Sequence, residues 1–184
     1  MRRGVVLYGP PAAGKDTITA ALSALDTRYA LFRRLKIGSG RTTGYRIGSA
    51  RVHAELVESD AVIYSNERYG NVYVIDRPEL DAVFRTGGIP VLHLGQLRGV
   101  QAVVEGYPVR WCTVLLRCPR EVTRIRSIER GDTDTPARLA AWEATEEDLA
   151  AHPDTVWDLR LHTNALSPDE AAKAIDSHLG HLRF

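Results

Sequence analysis

Two cysteines in 184 residues are too few for a disulfide framework. Cys112 and Cys118 fall in one predicted strand, on the same face and about 20 Å apart at strand rise, too far to bridge without distortion. Both read as buried thiols of a reducing compartment. Neither has a second Cys or His beside it at metal-ligand spacing, so no zinc is expected. Excess charge is also lacking: 24 Lys and Arg against 23 Asp and Glu leave a formal net charge of +1. That balance argues against a general nucleic-acid binder and leaves room for a local basic patch around a phosphorylated ligand. No apolar run reaches the roughly 20 residues that a bilayer crossing needs. The apolar stretch behind Met1-Arg2-Arg3 stops at Gly9-Pro10, short of a signal peptide. A cytoplasmic protein without membrane contact is expected, with no internal repeat, low-complexity tract or long linker. Oligomeric state stays open.

What the chain does have is alternation. Gly4–Tyr8 is a short apolar run ending at a glycine, as a buried strand would. A helix should follow from Gly14 to about Leu25, with Ile18, Ala21, Leu22 and Leu25 on one face. Ala30–Ile37 reads as a strand, Gly38–Gly48 as a loop, and Ala50–Ser59 as a short helix. Ala61–Tyr64 and Asn71–Ile75 could pair as a hairpin around Glu67–Gly70. Asp76 then caps a helix that ends at Gly87-Gly88, with Pro78 in its first turn. Pro90–Leu94 and Arg110–Arg117 are strands, with a helix from Leu97 to Val104 between them. Pro119–Arg130, with Val122, Ile125 and Ile128 inward, and Pro136–Ala151 are helices. Val156–His162 is a last strand, and Ser167-Pro168-Asp169-Glu170 opens the final helix with a capping box. His178 and His181 on that helix read as surface residues. Strands alternating with helices predict an α/β fold: a mostly parallel sheet flanked by helices, as one domain, with ligands beyond the carboxyl ends of the strands.

One such end carries Gly9-Pro10-Pro11-Ala12-Ala13-Gly14-Lys15-Asp16-Thr17. The spacing Gly-x-x-x-x-Gly-Lys between a strand and a helix is the core of the P-loop pattern. Glycines let several backbone N–H groups face one phosphate, the helix adds its positive dipole end, and Lys15 reaches the outer phosphates. The pattern expects Ser or Thr after the lysine, to touch Mg²⁺, but Asp16 stands there and Thr17 follows. Asp16 either helps hold Mg²⁺, directly or through water, while Thr17 hydrogen-bonds a phosphate, or it is a first-turn acid facing the helix dipole.

With the loop placed, the chain resembles the guanylate-kinase-like branch of the nucleoside monophosphate kinases, and also the ribose bisphosphokinases of phosphonate metabolism, which share Asp after the lysine. The resemblance runs in order along nearly the whole chain. Arg41-Thr42-Thr43 and Arg46 sit where the family has its acceptor loop. Tyr69-Gly70-Asn71-Val72-Tyr73 is similar to its Gly-Asn-Tyr-Tyr stretch, with Tyr73 on the phosphate-binding tyrosine. Arg130-Gly131-Asp132-Thr133-Asp134 resembles its lid, and Asn164 matches the position beside the nucleotide base. The resemblance implies a kinase that uses ATP and Mg²⁺, with an acceptor region at about 38–75, a lid at about 126–140, and a phosphorylated acceptor. The guanine-reading acids are not matched: one position falls on or near Gln96, the other near Tyr64, with Glu67 close by. The expected acceptor is a nucleoside monophosphate or a phosphorylated sugar, and these departures count against guanosine monophosphate.

Phosphoryl transfer needs positive charge around a trianionic group and exclusion of water. Arg126 and Arg130 share a helix face at i, i+4, and Arg138 lies one turn into the next helix. Arg130 and Arg138 are candidate phosphate clamps and Arg126 a nucleotide contact; the alternative is a solvated face paired with Glu121 and Glu129. Arg41, Arg46 and Tyr73 are candidate acceptor contacts, as are Tyr64, Gln96 and Arg98. His93 reads better as a satisfied half-buried side chain. A nucleotide switch would want an acid at the end of the Val91–Leu94 strand, which is missing. A scaffold that had lost catalysis would have lost the loop lysine, which is present.

Overall fold

The computed structural model describes residues 2–40, 42–68 and 70–181. Five strands form the central sheet: β1 (Arg3–Tyr8), β2 (Tyr29–Leu31), β7 (Ile89–Leu94), β8 (Arg110–Arg117) and β9 (Leu159–His162). Their order is β2-β7-β1-β8-β9, and every pairing is parallel. A parallel sheet is buried on both faces, which explains the unbroken apolar run of β1, where Val5 to Tyr8 are all 0% exposed. One face packs with Ile18 and Leu22 of α1 (Lys15–Leu25) and with Ile175 of α7 (Pro168–His181). The other packs with Leu80 and Phe84 of α3 (Arg77–Arg85) and Val100 and Val103 of α4 (Leu97–Gly106). Cys112, Val114, Leu116 and Cys118 all lie in the first of these cores. The cysteines are free and share a face, although Cys118 lies one residue past the end of β8.

Two expected caps are present. Asp76 accepts from the Glu79 N–H at 3.1 Å. Ser167 accepts from the Glu170 N–H at 3.2 Å while the Glu170 carboxylate takes the Ser167 N–H at 2.8 Å. A third end is capped from afar. No side chain of its own caps α4, and Asp148 of α6 (Thr135–Ala151) accepts the Leu97 N–H at 2.8 Å and the Tyr8 hydroxyl at 3.0 Å. One carboxylate thus ties α6 to both the first strand and the sheet's rim.

The stretch expected as a single strand from Ala30 to Ile37 is two. Phe32, 3% exposed, plugs the core beside Ile75 and Leu80, and the chain crosses there into a second sheet. That sheet has the order β4-β3-β6-β5, formed by β3 (Leu35–Ile37), β4 (Arg46–Gly48), β5 (Val62–Arg68) and β6 (Asn71–Asp76). The expected loop at 38–48 therefore ends in a strand, parallel to β3. The hairpin is longer than its apolar pattern suggests, pairing Arg68 with Asn71, because backbone hydrogen bonds continue past the apolar residues. Helix α2 (Ala50–Glu58) follows β4.

Two apolar assignments fail. Helix α5 (Arg120–Glu129) leaves Ile125 41% and Ile128 54% exposed and buries Thr123 and Ser127 instead. Those hydroxyls have partners: Thr123 meets the Cys118 thiol at 3.4 Å, and Ser127 meets Thr135 at 2.9 Å. A polar face with satisfied hydrogen bonds can be buried where an apolar face was expected. Val156 lies outside β9 and is 86% exposed. No helix among the described residues is long and apolar enough to cross a membrane.

Candidate functional site

The loop after β1 is shaped by what surrounds it. At Gly9 a β-carbon would lie 2.5 Å from the Leu116 carbonyl oxygen, so the chain can turn there only without a side chain. Ala12 and Gly14 take positive φ, 59° and 88°; Gly14 does so without a steric penalty, whereas Ala12 is held against one. Gly14 then opens α1 as its N-cap. Ala13 is fully buried and Pro10 holds the turn, its carbonyl accepting the Ala13 N–H at 3.3 Å.

Lys15 arches back over this loop, donating to the Gly9 carbonyl at 2.6 Å and the Pro10 carbonyl at 2.8 Å. Burial pushes its pKa down to about 8, against the opposing pull of Asp16. The Thr17 hydroxyl donates to the Gly14 carbonyl at 2.8 Å. Asp16 is exposed, with one carboxylate oxygen 3.6 Å from Nδ1 of His93. His93, on β7, has its Nε2 2.7 Å from the Thr19 hydroxyl. Burial, reinforced by the Lys15 ammonium, pushes the imidazole down to about 4, so it is neutral at physiological pH.

Lys15, Asp16, Thr17 and His93 line a cavity of about 680 Å³. Of the residues expected at the site, Gly9, Pro11, Ala12, Gly14, Lys15, Asp16, Thr17, Gln96, Arg98, Arg130 and Arg138 all border it. A cleft of about 350 Å³ opens beside it, lined by Arg126, Arg130, Thr163 and Pro168 among others. Arg126 donates to the carbonyls of Ala12 at 3.0 Å and Thr163 at 2.6 Å, joining the phosphate loop to the turn after β9. Asn164, expected beside the base, is exposed and does not line that cleft; its neighbour Thr163 does. Arg138 is held by Asp132 and Asp134, at 3.0 and 2.9 Å, and not by Glu121, which pairs with Arg124; it borders the cavity while paired.

A third recess, about 180 Å³, lies under the second sheet and contains Tyr64 and Tyr73. The Tyr64 hydroxyl donates to Oε1 of Gln96, and burial raises its pKa. Tyr73 packs on Tyr45 with ring centroids 5.3 Å apart. The Arg34 guanidinium lies over both rings, 5.2 and 5.9 Å from their centroids. Arg46 lies elsewhere. It is bound to the buried Asp76, to Glu79 at 3.4 Å and to the Arg33 carbonyl at 2.8 Å, and borders none of these three cavities. Its charge is spent neutralising a carboxylate that is 1% exposed, which an unpaired Asp could not tolerate. Arg41 lies outside the described residues.

Arg34 and Arg68 border both the main cavity and the recess, yet nothing local in the sequence marks them. The pair Arg33-Arg34 does interrupt the apolar residues of 29–37, but so does Lys36. His93 is the half-buried side chain with a satisfied ring nitrogen that was expected, and it also lines the main cavity.

The chain belongs to the chloramphenicol phosphotransferase-like family, whose model matches residues 63–180. No curated protein matches it. Among solved structures, it is similar to guanylate kinase from Anaplasma phagocytophilum, at 17% identity and a TM-score of 0.67 over 98% of this chain and 85% of that one. It is also similar to shikimate kinase from Acinetobacter baumannii, solved in complex with shikimate, at 15% identity and a TM-score of 0.51 over 100% of this chain and 96% of that one. The fold is that of the P-loop kinases, and the chain is a kinase-type phosphotransferase.

Proposed function

We propose that this member of the chloramphenicol phosphotransferase-like family transfers the γ-phosphoryl group of ATP to a phosphorylated small molecule. The observation that carries the reading is the sharing of Arg34, Arg68 and Gln96 between the cavity at the phosphate loop and the tyrosine-lined recess. A donor in one and an acceptor in the other would meet in a single space, with guanidinium groups at the junction.

In this reading the loop from Gly9 to Thr17 cradles the triphosphate. Lys15 exchanges its two carbonyl partners for phosphate oxygens. The cleft beside Arg126 and Thr163 takes the donor base. Tyr73 and Arg34 bind the acceptor's phosphate, with Arg68 and Arg98 beside it. Arg130 and Arg138, on the 126–140 lid, close over the transferring group and exclude water. The chain acts as one domain, with the second sheet as its acceptor-binding part.

Magnesium is the implied cation. A carboxylate together with phosphate oxygens is a donor set that suits it, and the exposed Asp16 carboxylate beside Lys15 fits that role. When bound, Mg²⁺ would neutralise charge on the outer phosphates. Thr17, whose hydroxyl is turned to the Gly14 carbonyl, would join the metal or a phosphate only by giving up that bond. Tyr64 and Gln96, hydrogen-bonded to each other, stand where the resemblance puts the guanine-reading acids, with Glu67 also bordering the main cavity; the loss of the acid at Gln96 counts against guanosine monophosphate.

The test is a coupled ADP-release assay with ATP and Mg²⁺ across nucleoside monophosphates and phosphorylated pentoses. Chloramphenicol, the acceptor in the family's name, belongs in the panel as an unphosphorylated alcohol. Acceptor-dependent release with a phosphorylated compound is expected. Release that no acceptor alters would make the chain a nucleotide hydrolase, and turnover with the alcohol alone would remove the acceptor-phosphate role from Arg34 and Tyr73.

A further inference from the structure

At the amino ends of the strands, away from the phosphate loop, three ligand-bearing side chains distant in sequence converge. Cys112 is the third residue of β8, Asp158 immediately precedes β9, and His178 lies in the last turns of α7. Their ligand atoms all lie within 4.8 Å of one another. We propose that Cys112, Asp158 and His178 form a binding site for a zinc-like divalent cation, with the fourth position open to water.

The geometry around each ligand supports this. Nε2 of His178 is sealed from solvent and makes no hydrogen bond, an expensive state for a buried polar atom. Its nearest carboxylate oxygen, Oδ1 of Asp158, is 3.6 Å away, too far for a hydrogen bond. That gap matches a metal between them: two ligands bonded at about 2.0–2.1 Å to a tetrahedral ion lie roughly 3.3 Å apart. The other oxygen of Asp158 is already occupied, accepting from the Thr113 N–H at 2.7 Å and the Thr113 hydroxyl at 2.8 Å. Those two bonds orient the carboxylate and leave Oδ1 for the ion, as outer partners of metal ligands do. Cys112 is fully buried, and burial together with the Asp158 charge pushes its thiol up to about 12. Binding would release its proton, and thiolate plus carboxylate would then balance a dication. Thiolate with imidazole selects zinc over magnesium, so this seat would not compete for the cation of the phosphate loop. It would clamp α7, which packs beside α1 in the core of that loop's helix.

Cobalt(II) reports the site directly, because a thiolate ligand gives a near-ultraviolet charge-transfer band. The full chain, stripped with a chelator, should bind one equivalent of Co²⁺ with that band and lose it to one equivalent of Zn²⁺. The band should persist in Cys118→Ala and Asp16→Ala and vanish in Cys112→Ala. His178→Gln replaces a half-buried side chain, not the surface residue expected from sequence, by one of similar size and should fold normally. It should weaken Zn²⁺ by far more than Thr113→Val, for which about tenfold is expected. Zn²⁺ should raise the melting temperature of the wild type and leave that of His178→Gln unchanged. A wild type without the band, a band that survives Cys112→Ala, or equal Zn²⁺ affinity in His178→Gln would each overturn the assignment.

Discussion

Nη2 of Arg126 donates to the carbonyl oxygen of Thr163 at 2.6 Å. Through its other terminal nitrogen the same guanidinium holds the Ala12 carbonyl at 3.0 Å, so a single side chain fastens the phosphate loop to the turn after β9. Hydrogen bonds from a charged group contribute about 1.5–3 kcal/mol, and about 1 kcal/mol shifts a chain of this size by about 2–4 °C. Arg126→Ala should therefore lower the melting temperature by about 3–12 °C. It should also raise the KM for ATP more than the KM for the acceptor. Calorimetry and initial rates on one preparation check both.

Under the proposed function, Lys15 should set the alkaline limb of activity. Its pKa of about 8 in the free protein means that the charge needed at the outer phosphates is lost as pH rises through that value. kcat/KM for ATP should be flat below about pH 7 and fall tenfold per unit well above pH 8. Lys15→Ala should lose activity at every pH while keeping its far-ultraviolet circular dichroism. An arginine there cannot deprotonate in this range, so whatever activity Lys15→Arg retains should lack the limb.

His93 makes the opposite prediction, about stability. Its folded pKa of about 4 lies below the ordinary value of 6.5. Between those values the unfolded chain holds the proton and the folded chain does not. Stability from this group is therefore complete above about pH 6.5 and is lost as pH falls towards 4, by an amount on the order of a few kcal/mol. Urea midpoints measured from pH 7.5 to 4.5 should fall more steeply for the wild type than for His93→Gln.

Arg34 is the sharpest test of the proposed acceptor recess. It borders both compartments and stacks over Tyr45 and Tyr73. Removing a guanidinium that meets an acceptor phosphate should cost about 1.5–3 kcal/mol, or about 10–100-fold in acceptor KM. Arg46→Ala, by contrast, should act through stability, since it strands the buried Asp76. Denaturation midpoints should drop for Arg46→Ala and hold for Arg34→Ala.

The order of strands and helices was legible in the chain because each depends on a local period or cap. The apolar run of β1, the N-cap at Asp76, the capping box at Ser167, and the glycines around Lys15 impose their geometry on near neighbours alone. The local pattern misleads where burial is decided from outside the segment. The inward face of α5 belongs to Thr123 and Ser127 because Cys118 and Thr135 supply their partners. The 30–37 run breaks because the core takes Phe32.

The phosphate loop is therefore a property of the sequence alone: nine consecutive residues between a strand and a helix carry its spacing and its chemistry. The rest of the candidate site was decided by tertiary structure. Arg34 and Arg68 reach Lys15's cavity only because a second sheet folds over the first. Arg46 misses it because Asp76 needs a counter-charge, and Cys112 meets His178 only because α7 packs back on β8. Contacts across tens of residues depend on how whole layers stack, and a local pattern carries no record of that.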